Sequence, residues 1–95
     1  MERSGNIIGR QLAILRNKKN ISQAKLALLC QKLGWDVSRD VLARIEIQVR
    51  AVTDKEIVVL GAALGVAVSE LLTPHIARIS LGASQDIIPP KTKKK

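Results

Sequence analysis

Trp35 is the only aromatic residue among 95, so any core in this chain has to be assembled from Leu, Ile, Val and Ala. Those side chains recur at three- and four-residue intervals, the spacing that gathers them on one side of an α-helix. A core of this kind suits packed helices. The apolar share of 46% is ordinary for one compact domain plus a tail.

The spacing predicts five helices. Ile8, Leu12 and Leu15 give an amphipathic helix from Ile7 to about Lys18, with Arg10 and Lys18 toward water. Ser22 is placed to cap a second helix with an apolar face of Leu26, Leu29, Cys30 and Leu33, stopped at Gly34. Ser38 caps a short, charged third helix that turns Leu42 and Ile45 inward and leaves Arg39, Asp40, Ala43 and Arg44 elsewhere on its surface. Thr53 and Glu56 stand at capping-box spacing before a fourth helix carrying Ile57, Leu60 and Leu64 inward and closing at Gly65. Val68 to Leu72 makes a brief fifth helix with Pro74 as its stop. The folded unit is expected to be residues 1–72. Residues 73–95, with Pro89, Pro90 and four lysines among the last five positions, read as a partly flexible basic tail.

Net charge narrows the partner. The chain carries +8, split evenly: residues 1–72 hold eleven basic and seven acidic side chains, residues 73–95 five and one. Such an excess favours a polyanion. Readers of single-stranded nucleic acid stack bases on aromatic rings, and one tryptophan offers little for that, so duplex DNA moves ahead. The terminal lysines either add phosphate attraction or aid solubility.

Other classes fall away. One cysteine permits neither an internal disulfide nor a multi-cysteine zinc site, and Cys30, on an apolar face, reads as an inert core thiol. No Gly-rich phosphate loop and no nucleophile–base pair is present, with His75 the sole histidine and expected at the surface. An enzyme is therefore not expected, nor a metal or cofactor. The longest apolar run, 57–68, is too short for a membrane span of about twenty residues. Without an apolar signal segment after Met1, a cytoplasmic protein is expected. The small residues from Gly61 to Gly65 read as a site of close helix approach. Trp35 reads as a packing anchor or, alternatively, as a wedge or partner contact.

Ser22-Gln23 with Ala27, then Val37-Ser38-Arg39, Ile45-Glu46, Val52-Thr53-Asp54 and Leu64-Gly65-Val66 together resemble the Xre, Cro and phage-repressor helix-turn-helix family over residues 7–72. The resemblance implies an all-α, five-helix lambda-repressor-like bundle whose third helix, Ser38 to Ile47, enters the major groove. It implies base reading by Arg39, Asp40 and Arg44. The chemistry agrees, since Arg grips guanine O6 and N7 and Asp accepts from cytosine N4, as at a G·C-containing half-site. It implies phosphate binding by Gln23, Ser38 and Arg50, and a structural ion pair between Arg16 and Glu46. This sequence departs from the family in two places. Five extra residues separate Ala27 from Val37, read as a lengthened second helix with a wider turn, and Ile47-Gln48 stands where the family has Asn-Gly.

The function expected from these features is transcriptional regulation, by repression, through double-stranded DNA bound as a homodimer. The fifth helix and residues 73–88 supply the remaining apolar material for the dimer surface. The alternative is a protein-binding module such as the antitoxin of a toxin–antitoxin pair, with a toxin as protein partner. A third reading is a general polyanion or membrane-surface binder, tracking salt without sequence preference.

Overall fold

The computed structural model describes residues 5–74. Among them the chain is all-helical: α1 (Gly9–Lys18), α2 (Gln23–Lys32), α3 (Arg39–Glu46), α4 (Asp54–Leu64) and α5 (Val68–Pro74). Of the expected tail, residues 73–95, Thr73 and Pro74 are described and belong to α5, and the rest, His75 included, lies outside the described residues.

Each of α2, α3 and α4 starts where a hydroxyl can accept an amide left unpaired in the first turn. Ser22 Oγ accepts from Lys25 N at 3.0 Å, Ser38 Oγ from Val41 N at 3.2 Å and Thr53 Oγ1 from Glu56 N at 3.1 Å. Glu56 reaches back to Thr53 N at 3.1 Å, completing the capping box. α1 has no such cap at Ile8. Asn6, two residues earlier, accepts from Ile8 N and Gly9 N, both at 3.0 Å.

The first four helices end alike. Asn20, Gly34, Gln48 and Gly65 each hold a positive φ (59°, 99°, 66° and 73°). At each, that residue and its successor return amide hydrogen bonds to the helix's last carbonyls: Asn20 and Ile21 to Asn17 and Arg16, Gly34 and Trp35 to Gln31 and Cys30, Gln48 and Val49 to Ile45 and Arg44, Gly65 and Val66 to Ala62 and Gly61. This is the Schellman arrangement, which satisfies carbonyls that a helix end would otherwise leave orphaned. Glycine takes the left-handed position at two ends without a Cβ penalty.

Leu12, Leu26, Leu42, Ile45, Leu60 and Leu71 are fully buried and bring all five helices to one core, together with Ile8 and Cys30. Each such aliphatic side chain contributes roughly 1.5–3 kcal/mol relative to exposure. Trp35 is half-buried and packs against this core; it also walls an open depression of about 400 Å³ with Leu33 and Val59. Burial pushes the Cys30 thiol up to about 11, so it stays protonated and unreactive at neutral pH.

α1 and α3 approach closely at Gly9. A Cβ at Gly9 would overlap the Ile45 carbonyl oxygen and crowd Gln48 Cγ, so only glycine lets α1 sit this near the end of α3. Asn6, fully buried, staples the same junction by donating to the carbonyls of Ile45 (2.7 Å) and Arg50 (2.9 Å). All four hydrogen-bonding positions of its amide are thus used.

Three expectations are corrected. Leu33 is not part of the α2 apolar face: the helix ends at Lys32, Leu33 is half-exposed, and Ala27 takes a core position while Leu29 is only partly buried. Residues 33–38 form the connection to α3, tied back by Gln31 Nε2 donating to Val37 O at 2.9 Å. The fifth helix does not stop before Pro74 but includes it. Proline has no N–H to offer the carbonyl four residues back, and that carbonyl, of Glu70, instead accepts from Gln11 Nε2 of α1 at 3.1 Å. Finally, the two glycines of the 61–65 segment have different jobs. Gly61 is buried against Val66 and Val68, permitting the sharp 108° bend between α4 and α5, whereas a Cβ at Gly65 would meet nothing within 4 Å.

Candidate nucleic-acid interface

The geometry of α3 follows from its eight residues. Leu42 and Ile45 point into the core, which turns Arg39, Asp40 and Arg44 to solvent. The Arg39 and Asp40 side chains are 57% and 75% exposed and pair at 3.1 Å. Arg44 makes no side-chain hydrogen bond or ion pair with any described residue. Ser38 is spent first on capping, its hydroxyl oxygen accepting from Val41 N.

Below this surface runs a continuous polar chain linking three helices. Arg16 grips Glu46 with two bonds, Nε to Oε2 at 2.6 Å and Nη2 to Oε1 at 3.0 Å, and its Nη1 donates to Ile21 O at 2.7 Å. Both side chains are largely withdrawn from water, at 11% and 6% exposure. Glu46 Oε1 also accepts from Gln23 Nε2 at 2.9 Å, which fixes the orientation of that amide and leaves Gln23 Oε1 to accept from Arg39 Nη1 at 3.2 Å. The expected residues Arg16, Glu46, Gln23, Arg39 and Asp40 are thereby joined in one network.

Arg50 sits apart from it. Its guanidinium holds Glu56 through Nη1–Oε1 at 2.9 Å and Nη2–Oε2 at 3.3 Å, and donates to Ala51 O at 2.8 Å. That hydrogen bond holds the Glu56 carboxyl below the ordinary glutamate range, against an opposing push from partial burial. Arg50 therefore fastens the α3–α4 connection to the start of α4, and a phosphate there would compete with this carboxylate.

Charge is segregated along the fold. Residues 5–35, which build α1 and α2, contain six basic side chains and no acidic one. Residues 36–74 contain four basic and six acidic. Within α3, Asp40 pairs with Arg39 and Glu46 is taken by Arg16, so Arg44 is the one charge of the helix without a counter-ion among the described residues.

Two features escaped the sequence reading. Asn6 bonds residues 39 and 44 positions away, which no local pattern announces. Gln48 takes the left-handed position where glycine would be expected, and its Nε2 donates to Asn6 O at 3.1 Å. The signal available was the Ile47-Gln48 departure itself.

Among the described residues no group of three His, Cys, Asp or Glu is placed to hold a metal ion, and no single helix is long and apolar enough to cross a membrane. No protein family, curated protein or solved structure matches this chain.

Proposed function

We propose that the chain is a helix-turn-helix regulator of the Xre and phage-repressor kind that reads duplex DNA with α3 and represses by occluding a promoter. The observation that carries this reading is the division of α3: Leu42 and Ile45 anchor one side, and Arg39, Asp40 and Arg44 stand in water on the other. A helix so exposed is the right width for a major groove, whose edges offer guanine O6 and N7 to arginine. The Glu46–Gln23–Arg39 chain of bonds supports it further, since it presents Arg39 in a set position instead of leaving it to sample rotamers.

In this reading α2 and α3 are the two helices of the motif, joined by a connection of six residues, and the protein acts as a homodimer on half-sites about 34 Å apart. Selection of duplexes from a random pool with immobilised protein tests it. Enrichment of a G·C-containing half-site, repeated about one helical turn away, is the expected result. A pool that stays random through successive rounds contradicts it.

A further inference from the structure

If α3 is the reading helix, it offers DNA little net attraction, because Glu46 is spent on Arg16 and the exposed side of α3 sets Asp40 against Arg39 and Arg44. The long-range, salt-dependent share of affinity comes from cations that neutralise phosphates, and the structure concentrates these elsewhere. We propose that Lys18, Lys19 and Lys25, which bracket the α1–α2 turn, bind backbone phosphates and supply most of the share that the described residues contribute, while α3 supplies discrimination. This rests on the reading that α3 faces duplex DNA.

Three observations carry it. All three lysines are exposed, and none has a side-chain partner among the described residues. No carboxylate lies anywhere from residue 5 to residue 35 to neutralise them, and Arg16, the one paired cation of that stretch, is matched by Glu46 of α3. The turn between them is also held rigidly to the reading helix: Arg16 Nη1 bonds Ile21 O within the turn, and Gln23 at the start of α2 bonds both Glu46 and Arg39. The backbone that carries these lysines is therefore tied to the helix that carries Arg39. Because the turn is bonded to α3, a duplex seated on α3 has this turn as a neighbour, where the positive end of α2 adds to the attraction for phosphate. Arg10 and Lys32, at the far ends of α1 and α2, do not share that position.

Salt-dependent anisotropy titrations separate this surface from net charge alone. The variant Lys18→Ala/Lys19→Ala/Lys25→Ala is compared with Arg10→Ala/Lys32→Ala/Lys55→Ala, which loses the same charge away from the turn. Circular dichroism melts of both check that each is folded. If each lysine meets one phosphate, the slope of log K against log salt becomes shallower by about 2.7 in the first variant. The second is expected to stay within about one of wild type. Affinity for an enriched and a shuffled duplex should weaken together, their ratio preserved. A wild-type slope in the first variant, or equal flattening in both, overturns the proposal. Absence of any sequence preference in the wild type, with the slopes changing as expected, sinks the reading by α3 and leaves the phosphate site standing. No duplex binding at all overturns both.

Discussion

Glu46 is the residue on which most depends. Its carboxylate holds Arg16 in two bonds and orients Gln23 in a third, at 6% exposure. Glu46→Ala leaves the Arg16 guanidinium, itself 11% exposed, without its counter-charge, a change that typically costs about 3–5 kcal/mol. A fall in Tm of more than about 10 °C is expected by circular dichroism, at about 4–8 °C per kcal/mol for a domain of this size; an unchanged Tm contradicts the structural role of the pair. Gly9→Ala tests the α1–α3 junction. The added methyl overlaps the Ile45 carbonyl oxygen in helical backbone that cannot rotate away, so a loss above about 3 kcal/mol, the upper end of ordinary overpacking, is expected in urea unfolding. Gly34→Ala and Gly65→Ala should cost only the left-handed backbone penalty, about 1–2 kcal/mol each, because an added Cβ meets nothing within 4 Å at either position. A Gly9 variant as mild as these would show that the close approach is not needed.

At the scale of elements, α4 carries the clearest pH dependence. Glu56 closes the capping box and holds Arg50, and its carboxyl lies below its ordinary range because of the Arg50 hydrogen bond. A carboxyl lowered on folding stabilises above its unfolded value, and that contribution disappears as pH falls through the folded one. Glu56→Gln is therefore expected to melt below wild type at neutral pH, with the gap closing as pH drops into the acid range. A gap independent of pH contradicts the assignment. The helix starts were legible because capping is local: Ser22, Ser38 and Thr53 each reach an amide three residues on. Helix ends were legible where glycine marks them, at 34 and 65, and missed at Gln48, where a bond to Asn6 O accompanies a backbone shape that its residue type does not favour. Leu33 was misplaced because helical periodicity was carried one residue past the last turn of α2. The Arg50–Glu56 pair was hidden for another reason: the five residues between them run from a connection into the first turn of α4, so helical spacing says nothing about whether they meet.

For the whole molecule, the proposed function assigns two tasks to two surfaces. Residues 5–35, which build α1 and α2, hold six basic side chains of which Arg16 alone is paired with a carboxylate among the described residues, while α3 exposes Arg39, Asp40 and Arg44, the donors and acceptors that the proposed reading uses to tell base pairs apart. The sequence already contained both sets of side chains, but only the folded chain shows the Arg16–Glu46–Gln23–Arg39 bonds that hold the two surfaces together. The most direct test of reading by α3 is a fluorescence anisotropy titration at fixed salt. Wild type, Arg39→Ala and Arg44→Ala are compared on an enriched duplex and on a shuffled duplex of the same composition. Wild type is expected to prefer the enriched duplex by about 10³-fold or more, and each variant to lose about ten- to a hundredfold of that preference. Equal wild-type affinity for the two duplexes would contradict sequence reading by α3.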